Sequence, residues 1–185
     1  MEDKNYETRH IIMTLGIMTL IFSPILLSFV PQTVANIVHY TKGMWNVFVP
    51  GENYLVFAIG FLLIFLSSMV IFFLDIRKAS ITISVILLFL SCGFFFFAAQ
   101  SHKTLGENHI SFSPIFSMKN YTYSWEEVEK IIRKDPENRG YYDYEFIFKD
   151  GNKMILSYNA YVREILGRLS YKTKVMNINM ETYEE

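Results

Sequence analysis

The sequence predicts a membrane protein with three transmembrane α-helices followed by a small α+β domain, made of an antiparallel sheet and a C-terminal helix. Two observations support this prediction. Long apolar runs without a charged side chain fill most of the first hundred residues. Near Gln100 the composition becomes charged and rich in Tyr, Lys and Glu, and the spacing of apolar residues changes with it. Three such runs in succession are not typical of a soluble protein.

The three runs have the length of membrane spans. They cover residues 11–30, 54–74 and 81–99. A helix rises 1.5 Å per residue, so about 20 residues cross a hydrocarbon core of roughly 30 Å. The first run follows a polar leader, residues 1–10, that carries three acidic side chains. Because this run is longer than the apolar core of a usual signal peptide, we interpret it as a retained anchor.

The two connections between the runs differ in character. Residues 31–53 contain Trp45 among several apolar side chains, so we expect this segment to lie on the membrane surface. Residues 75–78 form a tight turn, and the second and third spans must therefore make an antiparallel helical hairpin. Small side chains on both spans, such as Ser67 and Ser84, would allow the two backbones to approach closely.

Positive charge favours a cytoplasmic N-terminus. With three spans, the leader and the 75–78 turn share one side of the membrane, while the 31–53 connection and the tail share the other. The first side has four Lys or Arg residues in short segments, including Arg77 and Lys78, against three near the membrane on the second side. Because such residues mark the cytoplasmic side, the sequence predicts a multi-pass protein of the cell membrane with an extracytoplasmic C-terminal domain.

The transmembrane region (residues 11–100) is followed by a predicted domain over residues 101–176 and a loose tail over 177–185. Weak alternation of apolar residues predicts a strand near residue 110. Ser124 and Glu127 have the spacing of a capping box, which predicts a helical turn beginning near Trp125. This turn either continues as a helix or gives way to a strand.

A turn cluster, a hairpin and a helix follow. The turn cluster covers residues 135–140, and alternation from 141 to 148 predicts the first hairpin strand. Asp150 and Gly151 lie in the hairpin loop, because Asp-Gly readily adopts the positive φ of such a turn. A helix is predicted over 160–171 from an apolar stripe with helical spacing. The stripe consists of Val162, Ile165, Leu166 and Leu169.

Several classes of chemistry lack support in the sequence. The net charge is −1, so nucleic acid is not an expected partner. No two histidines have the spacing of metal ligands on a helix, although His102 and His109 could meet. Cys92 lies inside the third span, where a thiolate would be costly. Because the common nucleophile and phosphate-binding motifs are also absent, we expect no enzyme, no metal and no cofactor.

Three features in order resemble the small bacterial PH-like domains (bPH type) that follow membrane helices. Within residues 108–171 they are an extended piece ending in Trp125 and Val128, a strand closing on Asp150 and Gly151, and a C-terminal amphipathic helix. The resemblance implies that Trp125 and Val128 plug a barrel that the apolar stripe caps. The stretch holds fewer strands than a complete seven-stranded barrel. We therefore expect the barrel to be truncated or to be completed by a second copy.

Together these features predict a non-enzymatic integral membrane protein that presents a small binding domain at the membrane surface. We expect binding at an exposed strand edge or at Tyr141, Tyr142 and Tyr144. The expected partners are membrane lipid and an unidentified protein or peptide, with a second copy as a further option. The resemblance implies a bacterial protein, and one version of its function is bacteriocin immunity. The alternative is a subunit of a larger membrane complex or transporter, in which the helical hairpin is the functional part.

Overall fold

The computed structural model describes residues 2–135 and 140–183, with side chains from residue 7 onward. The chain divides into two compact units. The helical unit contains Met1–Val38, Val49–Ser101 and Ile115–Ser117, and the sheet unit contains His39–Phe48, His102–Pro114 and Met118–Glu185. This division differs from the single boundary predicted near Gln100, because residues 39–48 belong to the sheet unit.

Three of the described helices are long and apolar enough to span a membrane, so the three predicted spans are confirmed in length and composition. They are α1 (Glu2–His39), α2 (Gly51–Phe73) and α3 (Lys78–Gln100). The first helix is longer than predicted, because it includes most of the leader and continues through Pro31. Its 38 residues correspond to a length of about 57 Å. The predicted surface segment therefore begins as a continuation of α1.

Serine side chains hold the backbones of α2 and α3 together in the predicted hairpin. Ser67 Oγ donates to Ser84 O at 3.0 Å, and Ser84 Oγ donates to Ser67 O at 2.9 Å. Ser91 Oγ donates to Gly60 O at 2.9 Å. Hydrogen bonds of this kind between membrane helices contribute about 1 kcal/mol each. The small side chains thus act as close contacts between the two helices.

Gly60 and Gly93 provide a matched test of this packing. A Cβ added at Gly60 would lie 2.5 Å from the Phe95 ring, which already packs against Phe57 and Phe61, whereas one added at Gly93 would meet nothing within 4 Å. We expect Gly60→Ala to destabilise the helical unit by about 1–3 kcal/mol through overpacking. Gly93→Ala should have almost no effect. Unfolding of both variants in one detergent measures the difference, and equal shifts would contradict the contact.

Polar contacts join the helices at both ends of the hairpin. Asn53, which is buried near the start of α2, donates from Nδ2 to Ala98 O at 2.9 Å and to Ser101 O at 2.8 Å. These bonds satisfy carbonyl groups at the C-terminal end of α3. At the opposite end, Arg9 of α1 forms a hydrogen-bonded ion pair with Asp75 in the α2–α3 turn.

The described residues of the sheet unit form two four-stranded sheets and one α-helix. The strand orders are β1–β2–β3–β4 and β7–β6–β5–β8. The elements are β1 (Met44–Phe48), β2 (His102–Gly106), β3 (His109–Ser113), β4 (Tyr121–Ser124), β5 (Val128–Lys134), β6 (Asp143–Phe148), β7 (Lys153–Leu156), α4 (Ala160–Val175) and β8 (Asn179–Tyr183). Neighbouring strands are antiparallel except β5 and β8, which are parallel. The predicted turn cluster at 135–140 lies largely outside the described residues.

Three strands, β1, β2 and β8, lie where the sequence predicted none. β1 lies in the segment expected on the membrane surface, and its Val47 and Phe48 are buried in protein instead. β8 lies in the expected loose tail. The described residues therefore contain eight strands. Residues 108–171 hold five of them, β3 to β7, which is fewer than seven, as predicted. The further strands β1, β2 and β8 come from elsewhere in the same chain.

The domain core lies between the two sheets and α4. It includes the predicted structural residues Trp125, Val128, Val162, Ile165 and Leu169. Leu166 is half-buried and packs against this core. Trp125 Nε1 donates to Gly106 O at 3.0 Å, so the buried indole has a partner for its polar group. The apolar stripe of α4 thus faces the same core as Trp125.

Ser124 and Glu127 form the predicted capping box, but the helix is a single 3₁₀ turn, Trp125–Glu127. The Glu127 carboxylate accepts a hydrogen bond from Ser124 N at 2.7 Å. β5 begins directly afterwards at Val128. Of the two predicted alternatives, the strand is therefore the one that forms.

A polar network holds the turn between β6 and β7. Gly151 has a φ of +86°, which an L side chain rarely adopts. Tyr123 Oη donates to Asp150 Oδ2 at 2.7 Å, and Asn152 Nδ2 donates to Tyr123 Oη at 2.7 Å. The bond from Tyr123 lowers the pKa of Asp150, while burial raises the pKa of Tyr123. Asp150 and Gly151 thus have structural places in this turn.

Candidate functional site

Of the tyrosines predicted as a binding surface, Tyr141 and Tyr142 lie just before β6 and Tyr144 lies in it, and they differ in exposure. Tyr141 is 55% exposed, whereas Tyr144 is 7% exposed and belongs to the domain core. Burial raises the pKa of Tyr144. The prediction that Tyr144 is part of an exposed face is wrong, because alternation along β6 turns it inward with Phe146 and Phe148.

Tyr141, Tyr142 and Tyr158 form what we name the tyrosine patch. The Tyr141 and Tyr158 rings are stacked, with centroids 4.9 Å apart. The Arg133 guanidinium lies over the Tyr142 ring, 5.5 Å from its centroid. Contacts of these two kinds are each favourable by about 0.5–1.5 kcal/mol. The patch is therefore an ordered aromatic surface with a cation beside it.

β8 lies next to this patch, because Arg133 contacts both. All of β8 pairs in parallel with β5. Arg133 Nη2 donates to Thr182 Oγ1 at 2.6 Å, and Lys130 Nζ donates to Glu181 Oε2 at 3.1 Å. The hydrogen bond to Glu181 raises the pKa of Lys130. We name Arg133, the tyrosine patch and β8 together the candidate face.

Glu145 is a buried carboxylate in the middle of the second sheet. It accepts a contact of 2.6 Å from Lys134 Nζ and lies 3.3 Å from Lys153 Nζ. Its hydrogen bond with Lys134 lowers the pKa of Glu145. Two cations compensate one buried anion, so this group is explained by structure rather than by acid–base chemistry.

Neutralising Glu145 is expected to make the sheet unit less stable and less sensitive to acid. A lowered folded-state pKa contributes stability above the unfolded-state pKa, about 4.3, and this contribution is lost as pH falls through the folded-state value. Glu145→Gln should therefore lower the unfolding midpoint at pH 7 and flatten its decline below about pH 5. Denaturant titrations at pH 7 and pH 4 measure this. Glu126→Gln, at an exposed position, is the control and should leave both midpoints unchanged.

The described residues contain no group of three His, Cys, Asp or Glu side chains that could hold a metal ion. His102 and His109 do not meet, because they occupy opposite ends of the β2–β3 hairpin. His102 instead stacks on His39, with ring centroids 3.7 Å apart. The candidate face offers aromatic rings, a guanidinium and a strand edge. Such groups recognise peptides and proteins.

Sequence reasoning missed three parts of the candidate face: Arg133, Tyr158 and β8. The hairpin register could have identified Tyr158, because Tyr144 pairs with Leu156 and Tyr142 therefore lies opposite position 158. Arg133 had no such signal, since its neighbours depend on which strand pairs with β5. β8 had none either, because its residues are mostly polar and show no apolar alternation.

No protein-family model, curated protein or solved structure matches this chain. The fold and the candidate face nevertheless define a class. Three of the described helices have the length and composition of membrane spans, which are the features of a multi-pass membrane protein. The helices are followed by a small sheet-rich domain with a helix near its C-terminus.

Proposed function

We propose that the chain is a non-enzymatic membrane protein that presents its sheet unit as a binding domain for a protein or peptide. The observation that carries the proposal is the candidate face, where the exposed Tyr141 ring stacks on the Tyr158 ring and a guanidinium lies over the Tyr142 ring. Tyrosine and arginine dominate the energetics of many protein interfaces. Tyr141 makes no contribution to the domain core, so its exposed ring is available to a partner.

The strand arrangement supports a PH-like identity for the domain. β1–β4 form one antiparallel sheet, β5–β7 form another, and α4 follows them. Seven strands and a closing helix are what the resemblance implies, with β8 as an addition. In this reading Trp125 and Val128 plug the barrel and the apolar stripe of α4 caps it. A bacteriocin-immunity protein of a bacterial membrane is one version, in which the partner is a peptide.

The sidedness of the domain decides where its partner is found. Arg77 and Lys78 in the short turn favour a cytoplasmic N-terminus and an extracytoplasmic domain. The test is to replace Cys92 by Ser, introduce Lys149→Cys in the exposed β6–β7 turn, and label intact cells with a membrane-impermeant maleimide. Labelling before lysis is the expected result. Labelling only after lysis would place the domain, and its partners, in the cytoplasm.

The alternative function is that of a subunit in a larger membrane complex, with the hairpin as the functional part. One observation favours it. On the outer surface of the helical unit, α1 and α3 expose many large apolar side chains, including Phe29 and Phe89. In a membrane these side chains face lipid or the helices of another protein. The sheet unit would then serve only to dock the chain onto the larger complex.

Photo-crosslinking distinguishes the two functions. A benzoylphenylalanine placed at Tyr141 samples the candidate face, one at Phe89 samples the α3 surface, and one at Tyr161 is a control on α4. We expect a defined protein adduct from position 141 and none from 161, with position 89 giving lipid adducts alone. A protein adduct from position 89 without one from 141 would instead support the complex-subunit function.

A further inference from the structure

β8 differs from every other described strand in how it is held. It is parallel to its neighbour, it lies at a sheet edge, and it follows α4 through Asn177, which has a φ of +52°. No residue of β8 is buried, and Met180 is its one side chain packed against the core, by a partly buried contact. By contrast, the opposite edge strand β7 buries Met154 and Leu156.

The links between β8 and β5 are therefore backbone hydrogen bonds and two side-chain contacts near the surface. These contacts are Lys130 with Glu181 and Arg133 with Thr182. Exposed ion pairs are weak because water screens them. Segments with few buried contacts open locally more readily than the core does. Opening β8 would expose the backbone edge of β5 while leaving the core residues in place.

The uncovered edge would have a defined chemistry. It presents an unpaired parallel ladder, the cations Lys130 and Arg133, and a core position now occupied by Met180. Lys134 is already compensated by Glu145. The sequence of β8 matches these features with an apolar residue, then an acidic one, then a hydroxyl. An extended segment that repeats this pattern could add to β5 in the same way.

We propose that the β5 edge is a peptide-binding site that β8 occupies in the free protein, and that an extended acidic segment of a partner protein displaces β8 from it. The proposal rests on the proposed function and names its partner class. The segment carries an apolar residue followed by an acidic residue, and it binds parallel to β5. Arg133 couples the site to the tyrosine patch, because it contacts both.

The test uses the full chain in lipid nanodiscs and a fluorescein-labelled peptide with the sequence of residues 177–185. In a Cys92→Ser background, Ile132→Cys with Glu181→Cys places two cysteines at paired positions of β5 and β8. Oxidation should lock β8 in place and abolish peptide binding measured by fluorescence anisotropy, and reduction should restore it. Each protein sample is its own folding control, since only the disulfide changes.

A second variant releases β8 without a disulfide. Glu181→Lys in the full chain replaces the Lys130 ion pair by repulsion, so the labelled peptide should bind about threefold more tightly than to the unaltered chain. The same peptide carrying Glu181→Lys should bind about threefold more weakly than the unaltered peptide. Equal binding by the locked and reduced forms would overturn the proposal. Disulfide-linked dimers on oxidation would also overturn it, since β8 would then be exchanged between two copies.

These outcomes are separate from the test of the proposed function. A protein adduct from Tyr141 with no peptide binding would contradict the proposed β5 site but would still support the proposed function as a binding domain. Peptide binding without an adduct from Tyr141 would show that the tyrosine patch is not part of the binding interface, and would contradict that part of the proposed function.

Discussion

A fragment of residues 102–185 is expected not to unfold cooperatively, because it lacks β1. Val47 and Phe48 are 0% and 2% exposed in the sheet unit. Burying each such side chain contributes about 1.5–3 kcal/mol, and a small domain has a total stability of only about 5–15 kcal/mol. Removing β1 also uncovers the edge of β2 and the core beneath it. The fragment should therefore have a broad transition and bind a hydrophobic dye.

The register of β1 shows how the missing strand can be returned. Phe48 pairs with Lys103, so the end of β1 lies beside the start of β2. A chain that joins residues 40–48 to residues 103–185 through an Asn-Gly turn would keep Phe48 opposite Lys103 and form a direct β1–β2 hairpin. We expect this joined chain to unfold cooperatively in solution, as followed by circular dichroism and denaturant titration.

Two controls make the comparison decisive. The joined chain with Val47→Asp buries a charge at a fully buried position and should again lose its cooperative transition. A cooperative transition in the fragment of residues 102–185 alone would contradict the role of β1. In that case β1 would be an accessory edge strand.

Elements formed by neighbouring residues could be predicted from the sequence. The α2–α3 hairpin follows from two apolar runs with the four-residue turn 75–78 between them, and the β6–β7 hairpin follows from alternation around Asp150 and Gly151. β1 could not be predicted in this way, because its pairing partner β2 lies beyond two membrane helices in the chain. Apolar residues such as Val47 beside Trp45 fit an interfacial segment as well as a strand. Only tertiary pairing decides between these two structures.

The candidate face could be predicted only in part, because tertiary pairing decides its remaining features as well. Tyr141 was identified from its local pattern, but Tyr144 was assigned to the wrong surface. The alternation of β6 is the same whichever of its faces is buried, and the side that faces the core depends on the packing of α4 and the first sheet. β8 could not be predicted, because a short polar strand gains its order from pairing with β5 rather than from its own apolar residues.

Replacing Trp125 by alanine is expected to have the largest effect of any alanine substitution in the sheet unit. Trp125 is 2% exposed and has Trp45 5.5 Å away between ring centroids, and its Nε1 donates to Gly106 O. Truncating a buried tryptophan costs about 3–5 kcal/mol through lost burial and a residual cavity. That loss is comparable with the whole stability of a small domain, so Trp125→Ala should leave the sheet unit largely unfolded at 37 °C.

Trp125→Phe separates the two contributions of this side chain. It keeps an aromatic ring in the core but leaves the buried Gly106 carbonyl without its donor, which costs about 1–3 kcal/mol. Trp45→Phe is the matched control, because Trp45 is only partly buried and its Nε1 bonds to Glu107 at an exposed site. Denaturant midpoints of the full chain are measured in one detergent and followed by the fluorescence of the remaining tryptophan. We expect the highest midpoint for Trp45→Phe, a lower one for Trp125→Phe and the lowest for Trp125→Ala. If Trp125→Ala cost no more than Trp45→Phe, the core would have to be held by the apolar stripe of α4 rather than by the indole at its centre.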